Sequence, residues 1–124
     1  MNGMKQKLRG TVVCGKQLGR TIGFPTANMD VRGMEDCPRG VYYGVCEADG
    51  KTWRVIINIG SHPTAPEGPP TVEAHLIGYE GDLYGREIEV TLKEYLREER
   101  KFSSLEELRA QLTRDMERAM ALPV

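Results

Sequence analysis

Alternation with a period of two runs through most of the first 96 residues, and it constrains the fold more than any other feature of this chain. Val41, Tyr43 and Val45 alternate with Tyr42, Gly44 and Cys46, and Asp49-Gly50 then supplies a hairpin-type turn. Trp53, Val55, Ile57 and Ile59 form one face of a following strand. Val72, Ala74 and Leu76 form one face of the next, and Ile88, Val90 and Leu92 one face of another. A first strand runs from Leu8 to Cys14. The connections hold Gly, Pro or Asp. Such a pattern specifies an antiparallel all-β core, and five or six short strands suggest a small closed barrel.

The period changes near the end. Ser103 and Ser104 followed by Glu106 and Glu107 offer capping boxes. Leu105, Leu108, Leu112, Met116 and Met120 then recur every three or four residues, opposite Arg109, Arg114, Glu117 and Arg118. An amphipathic helix over about 104–121 is expected, laying its apolar stripe on a barrel of about 7–96, with Pro123 ending it. A chain of 124 residues is one domain, 1–124, large enough for one core without staples.

Charge narrows the partners. Seventeen basic and eighteen acidic residues leave a net charge of −1, with no basic stripe for nucleic acid. The three cysteines, Cys14, Cys37 and Cys46, form no Cys-x-x-Cys pair, and no apolar run reaches membrane-spanning length. The expectation is a cytoplasmic monomer that engages neither nucleic acid nor membrane.

Two stretches break the alternation, Gly15–Asp36 with glycines at 15, 19, 23 and 33, and Ser61–Pro70 with prolines at 63, 66, 69 and 70. Long aperiodic segments in a compact domain point to shaped, functional loops. Gly15 to Gly23 fits neither the Walker A nor the Gly-x-Gly-x-x-Gly spacing, so glycine amides with Lys16 and Arg20 read equally as a phosphate cradle or a flexible connection. In Phe-Pro-Thr26-Ala-Asn28, an extended path would turn the Thr26 hydroxyl and the Asn28 amide oxygen to one side. Two neutral oxygens suit a Mg²⁺ whose negative charge comes from substrate phosphates, although taken alone the stretch favours a turn. In Thr71-Val-Glu-Ala-His75, core-facing Val72 and Ala74 would leave Glu73 and His75 on the other face. Glu73 becomes a general base only if it reaches the proton it removes. With His62 and His75 the only histidines, a zinc centre is disfavoured. No nucleophile elbow, kinase-domain or zincin motif is present.

Read together, Gly15…Gly19-Arg-Thr-Ile-Gly-Phe-Pro-Thr-Ala-Asn28, Gly40-Val-Tyr-Tyr, Asn58-Ile-Gly60, Pro63-Thr, Val72-Glu-Ala-His75, Asp82-Leu-Tyr-Gly85 and Leu96-Arg…Lys101-Phe-Ser-Ser resemble the riboflavin kinase family from about Leu8 to Ala119. The resemblance implies a six-stranded antiparallel Greek-key barrel with a C-terminal helix. It implies transfer of the ATP γ-phosphate to the 5′-hydroxyl of riboflavin, giving FMN and ADP, with Mg²⁺ and with Zn²⁺ or Mn²⁺ as substitutes. By position, Glu73 matches the catalytic base, and Thr26 and Asn28 the metal contacts. Gly15, Arg20, Thr26, Leu76 and Tyr84 match ATP-binding positions. Arg97, Arg100 and Phe102 match the flavin-binding segment. The alternatives are a flavin- or nucleotide-binding regulatory module on the same barrel without turnover, and an oligonucleotide-binding barrel, which aromatics at 6% of the chain disfavour. Many relatives carry an adenylyltransferase domain ahead of this one, so the chain reads as a free-standing kinase or an excised domain, with Met1 leaning towards the first or a cloned boundary.

Overall fold

The structure, a computed structural model, describes residues 6–13, 27–31, 38–60, 71–79, 81 and 83–123. Six strands form in chain order: β1 (Lys7–Val13), β2 (Ala27–Val31), β3 (Gly40–Ala48), β4 (Lys51–Gly60), β5 (Thr71–Leu76) and β6 (Glu87–Arg97). One helix follows, α1 (Leu105–Met120). Every strand pairing is antiparallel, and the order β1-β2-β5-β4-β3-β6 closes on itself through the pairing of β6 with β1. The all-β barrel with a C-terminal helix matches the expected class. Closure removes the exposed edges that an open sheet of this size would present.

The alternation sorts side chains as the sequence implied. Leu8 and Val12, Met29, Tyr42 and Cys46, Val55, Ile57 and Ile59, Val72, Ala74 and Leu76, and Ile88, Val90 and Leu92 fill the interior. Burial pushes the Cys46 thiol above its ordinary range; Cys14 and Cys37 lie outside the described residues. Strand β3 is buried on both faces from Gly40 to Gly44, because the helix covers its outer side. There Val41, Tyr43, Ile56, Leu96 and Ala119 make a second cluster. Both buried tyrosines find acceptors for their hydroxyls, Tyr42 at the Pro38 carbonyl (2.6 Å) and Tyr43 at the Pro123 carbonyl (3.0 Å). Asp49 and Gly50 both adopt positive φ (54° and 78°), as a tight β3–β4 hairpin requires. Tyr79 donates to Asp49 (2.7 Å) and Arg86 pairs with it (3.2 Å), tying the loop after β5 to that hairpin.

Two elements differ from the sequence expectation. Strand β2 lies inside the stretch read as aperiodic, since its own five residues, set between glycine- and proline-rich flanks, are too few to show a period. The helix stripe also meets the barrel only along its middle, where Met116 packs on the second cluster and Leu108 and Leu112 are half-buried. Leu105 and Met120 are 46% and 51% exposed, and the buried helix residues are Asp115 and Ala119. Small Ala119 lets the helix approach the barrel closely, and Met116 of the stripe packs beside it.

Ser104 caps α1, accepting from the Glu107 N–H (3.1 Å), while the Glu107 carboxylate accepts from the Ser103 N–H (3.1 Å). Hydrogen bonds from the Ser103 side chain and, second, from its backbone N–H hold the Glu107 carboxyl below its ordinary value. Ser104→Ala is expected to cost about 1 kcal/mol in a denaturant melt. A change within experimental error would show that tertiary packing, not the cap, fixes this helix end.

Candidate active site

One belt of residues crosses the outer face of the barrel. Val13 pairs with Asn28, Asn28 with Glu73, Glu73 with Asn58, Asn58 with Val41, and Val41 with Arg97. Each step crosses one strand spacing of about 4.8 Å. The belt faces outward because the residues on either side face in: Met29 beside Asn28, Val72 and Ala74 beside Glu73, Ile57 and Ile59 beside Asn58. Asn28, Glu73 and Asn58 are therefore neighbours on one face, each half-buried. Directly opposite residues in an antiparallel pair place their Cβ atoms about 4.5–5.5 Å apart, within reach of one another's polar ends.

The structure thus brings together two of the residues singled out in sequence, Asn28 and Glu73, from segments far apart in the chain. Their partner Asn58 was named only as part of a motif and given no role. The signal that marks it is its outward position on β4 between Ile57 and Ile59. Its Oδ1 is shielded from solvent and meets no hydrogen-bond donor among the described residues.

On the far side of Asn58 the segment after β6 folds back. Glu99 lies against Gly60, where any Cβ would meet its carboxylate oxygen, and Thr71 donates to the Gly60 carbonyl (3.2 Å). A side chain at position 60 would push the Glu99 carboxylate away from the end of β4. Beyond Glu99, Arg100 sits over the Phe102 ring at 5.1 Å and Arg97 at 6.0 Å, while Phe102 is half-buried. Arg97, however, is already engaged. It makes a bidentate pair with Asp115, Nε to Oδ1 at 3.0 Å and Nη2 to Oδ2 at 2.7 Å, and Gln111 donates to the same carboxylate (3.0 Å). Asp115 is 4% exposed and went unnoticed in sequence, because an acid on a charged helix reads as part of the solvated face. Arg100 donates to Gln111 (3.0 Å), joining the lip of the site to the same network.

The remaining candidates fall elsewhere. Leu76 packs inside the barrel at 6% exposure, on the opposite face of β5 from Glu73. Tyr84 is 65% exposed in the turn before β6, beside a Gly85 N–H that donates to the Val12 carbonyl at the end of β1. That places it at the Val13 end of the belt. Gly15, Arg20 and Thr26 lie outside the described residues.

Comparison with known proteins fits this arrangement. A family model described as riboflavin kinase (Flavokinase) matches residues 2–122. The bifunctional riboflavin kinase/FMN adenylyltransferase of Escherichia coli (strain K12) is 44% identical over 109 residues, which is 87% of this chain and 35% of that protein. The chain thus spans 35% of the length of that curated relative. A crystal structure from Streptococcus pneumoniae, described as a macrolide-efflux protein, is similar with a TM-score of 0.86 and 30% identity, over 96% of this chain and 40% of that one. The riboflavin kinase of Trypanosoma brucei shares the fold, with a TM-score of 0.68 and 24% identity over 92% of this chain and 76% of that one.

Proposed function

The chain belongs to the riboflavin kinase family, and from that premise we propose that it transfers the γ-phosphoryl group of ATP to the 5′-hydroxyl of riboflavin, releasing FMN and ADP. The observation that carries the reading is the order of the belt. Glu73 stands in its middle, with Asn28 on the β2 side, and the Arg100–Phe102 segment begins beyond Asn58 on the other. A donor on one side and an acceptor on the other would meet over a carboxylate, which is what an in-line transfer needs.

In this reading Glu73 orients the riboflavin hydroxyl and accepts its proton. Phe102 covers part of the flavin ring. Arg100, stacked on Phe102, contributes positive charge beside it, and Arg97 holds Phe102 from the Asp115 side. Tyr84, with Gly15, Arg20, Thr26 and Leu76, belongs to the nucleotide side. Leu76 serves there from within the barrel wall, as support for the strand end rather than as an exposed contact.

The donor set fits a divalent cation that arrives with its own negative charge. Asn28 offers a neutral amide oxygen, and no group of three or more His, Cys, Asp or Glu side chains that could hold a metal ion occurs among the described residues. Mg²⁺ takes such oxygen ligands alongside phosphate oxygens. Asn28 and Thr26 would hold it, and it would neutralise phosphate charge. The assignment predicts that Asn28→Ala raises the Mg²⁺ concentration needed for half-maximal activity by about tenfold, the worth of one lost charge-assisted contact. An unchanged Mg²⁺ titration would remove Asn28 from the ligand set.

We take the partners to be these two small substrates, the protein to act as a monomer in the cytoplasm, and residues 1–124 to be one kinase domain. No helix among the described residues is long and apolar enough to cross a membrane. Incubation with riboflavin, ATP and Mg²⁺ followed by chromatography tests the reading. FMN in stoichiometry with ADP is expected. Flavin binding without FMN would favour the regulatory module instead.

A further inference from the structure

Asn58 has no task in the reaction as described, yet it occupies the belt position next to Glu73. Its Oδ1 is buried and receives no hydrogen bond, and it is one of two such side-chain atoms among the described residues. The other, Arg54 Nε, belongs to a guanidinium that already donates to the Leu122 carbonyl (3.2 Å). An acceptor kept out of water without a donor costs stability in the free protein. An apolar side chain of the same size would avoid that cost. The site's position explains why the cost is tolerated. Asn58 is flanked by Glu73 on β5 and Val41 on β3, with Gly60 two residues along its own strand. Gly60 leaves the space above it to the Glu99 carboxylate, so the ceiling of this corner is acidic and the floor is an amide. A corner lined by acceptors is suited to a group that presents several donors. The residue is only half-buried as a whole, and the terminal torsion of an asparagine is broad, so its oxygen can turn to meet such a group.

Resting on the kinase reading, we propose that Asn58 determines specificity for a polyhydroxylated acceptor: its Oδ1 accepts a hydrogen bond from an inner hydroxyl of the ribityl chain, which sets the terminal hydroxyl against Glu73. Phosphoryl transfer depends on holding the reacting oxygen in line, and one fixed hydroxyl along a short chain removes much of the chain's freedom. The belt thereby divides its labour, Glu73 at the reacting end of the chain and Asn58 along its length.

The test uses the full chain with Asn58→Leu, which keeps the branched shape and removes the acceptor. Steady-state FMN formation is measured with riboflavin and with its 2′-, 3′- and 4′-deoxy analogues, beside a thermal melt of each protein. The expected result is a roughly tenfold fall in kcat/KM for riboflavin, the scale of one hydrogen bond to a buried acceptor. The fall is shared by KM and kcat, because the lost contact both binds and aligns the acceptor. For one analogue, the one lacking the hydroxyl that Asn58 receives, wild type and variant should be equal. The melting temperature should be unchanged or higher, because the variant loses an unsatisfied buried group; a residue needed only for folding would show the reverse. Equal losses for riboflavin and all three analogues would overturn the proposal, as would kcat/KM within twofold of wild type. If the unsubstituted protein forms no FMN, the kinase reading fails, and this inference falls with it, a result distinct from either of the others.

Discussion

Replacing Glu73 by glutamine is expected to slow FMN formation by about 10²–10⁴-fold, the usual worth of a positioned general base. The substitution is nearly isosteric and lies on the outer face of β5, away from the interior packing of Val72 and Ala74. Folding and the melting temperature should therefore stay close to wild type. Binding of riboflavin, followed by quenching of its fluorescence, should weaken little, because the amide retains an acceptor for the hydroxyl and loses only the capacity to take its proton. A loss in kcat with a nearly constant KM is the signature. Turnover within tenfold of wild type would transfer the role of base to another group or to solvent.

Truncating Asp115 to alanine is expected to destabilise the fold by about 3–5 kcal/mol, because it leaves the Arg97 guanidinium, whose side chain is only 18% exposed, without its counter-charge. For a chain of this length that corresponds to a fall in melting temperature of about 10 °C or more. The loss has two origins: a charge left in a partly dry setting, and Gln111 deprived of its acceptor. Pairing Asp115→Leu with Arg97→Met should restore much of the stability, since apolar groups of similar volume often replace a buried ion pair at little cost. Urea unfolding of the single and double variants measures both. A single variant within 1 kcal/mol of wild type would show that water reaches the pair and that it behaves as a surface bridge. Because Arg97 also lies against Phe102, and Arg100 reaches Gln111, the same variant should weaken riboflavin binding under conditions where it remains folded.

The two experiments probe parts of the molecule that differed in legibility. Glu73 was readable as an outward carboxylate, since Val72, Ala74 and Leu76 declare the inner face of β5 by alternation alone. The β3–β4 hairpin was equally open, announced by Asp49-Gly50. Strand β2 was hidden by its brevity, and with it the local reason for Asn28 to face outward. Asp115 was hidden for another reason: a buried acid and a solvated one on a helix have the same sequence pattern, and only the arginine opposite tells them apart. The exposed Leu105 and Met120 show the converse, apolar residues at helical spacing that the barrel does not reach.

Strand β6 shows how an irregularity can redirect a pattern. Its pairing with β3 shifts register between Val41 and Tyr42 and again between Tyr43 and Gly44. Leu92 therefore faces the barrel interior while Leu96, an even number of residues later, faces the helix. A strict period of two would have put both on one side. The bulged end delivers Arg97 to Asp115 and starts the segment that brings Glu99 against Gly60 of β4 and Arg100 to Gln111 of the helix.

By itself, the sequence determined which residues could face inward, where the helix starts, and which motifs the chain shares with riboflavin kinases, because periodicity, capping and motif spacing are local properties of the chain. Only the tertiary structure decided which outward residues stand side by side. Asn28, Glu73 and Asn58 meet because β5 lies between β2 and β4, an order that runs against chain order and is set by barrel closure and register. Local alternation gives a strand its faces but not its neighbours, since the hydrogen bonds that choose them join residues far apart in the chain.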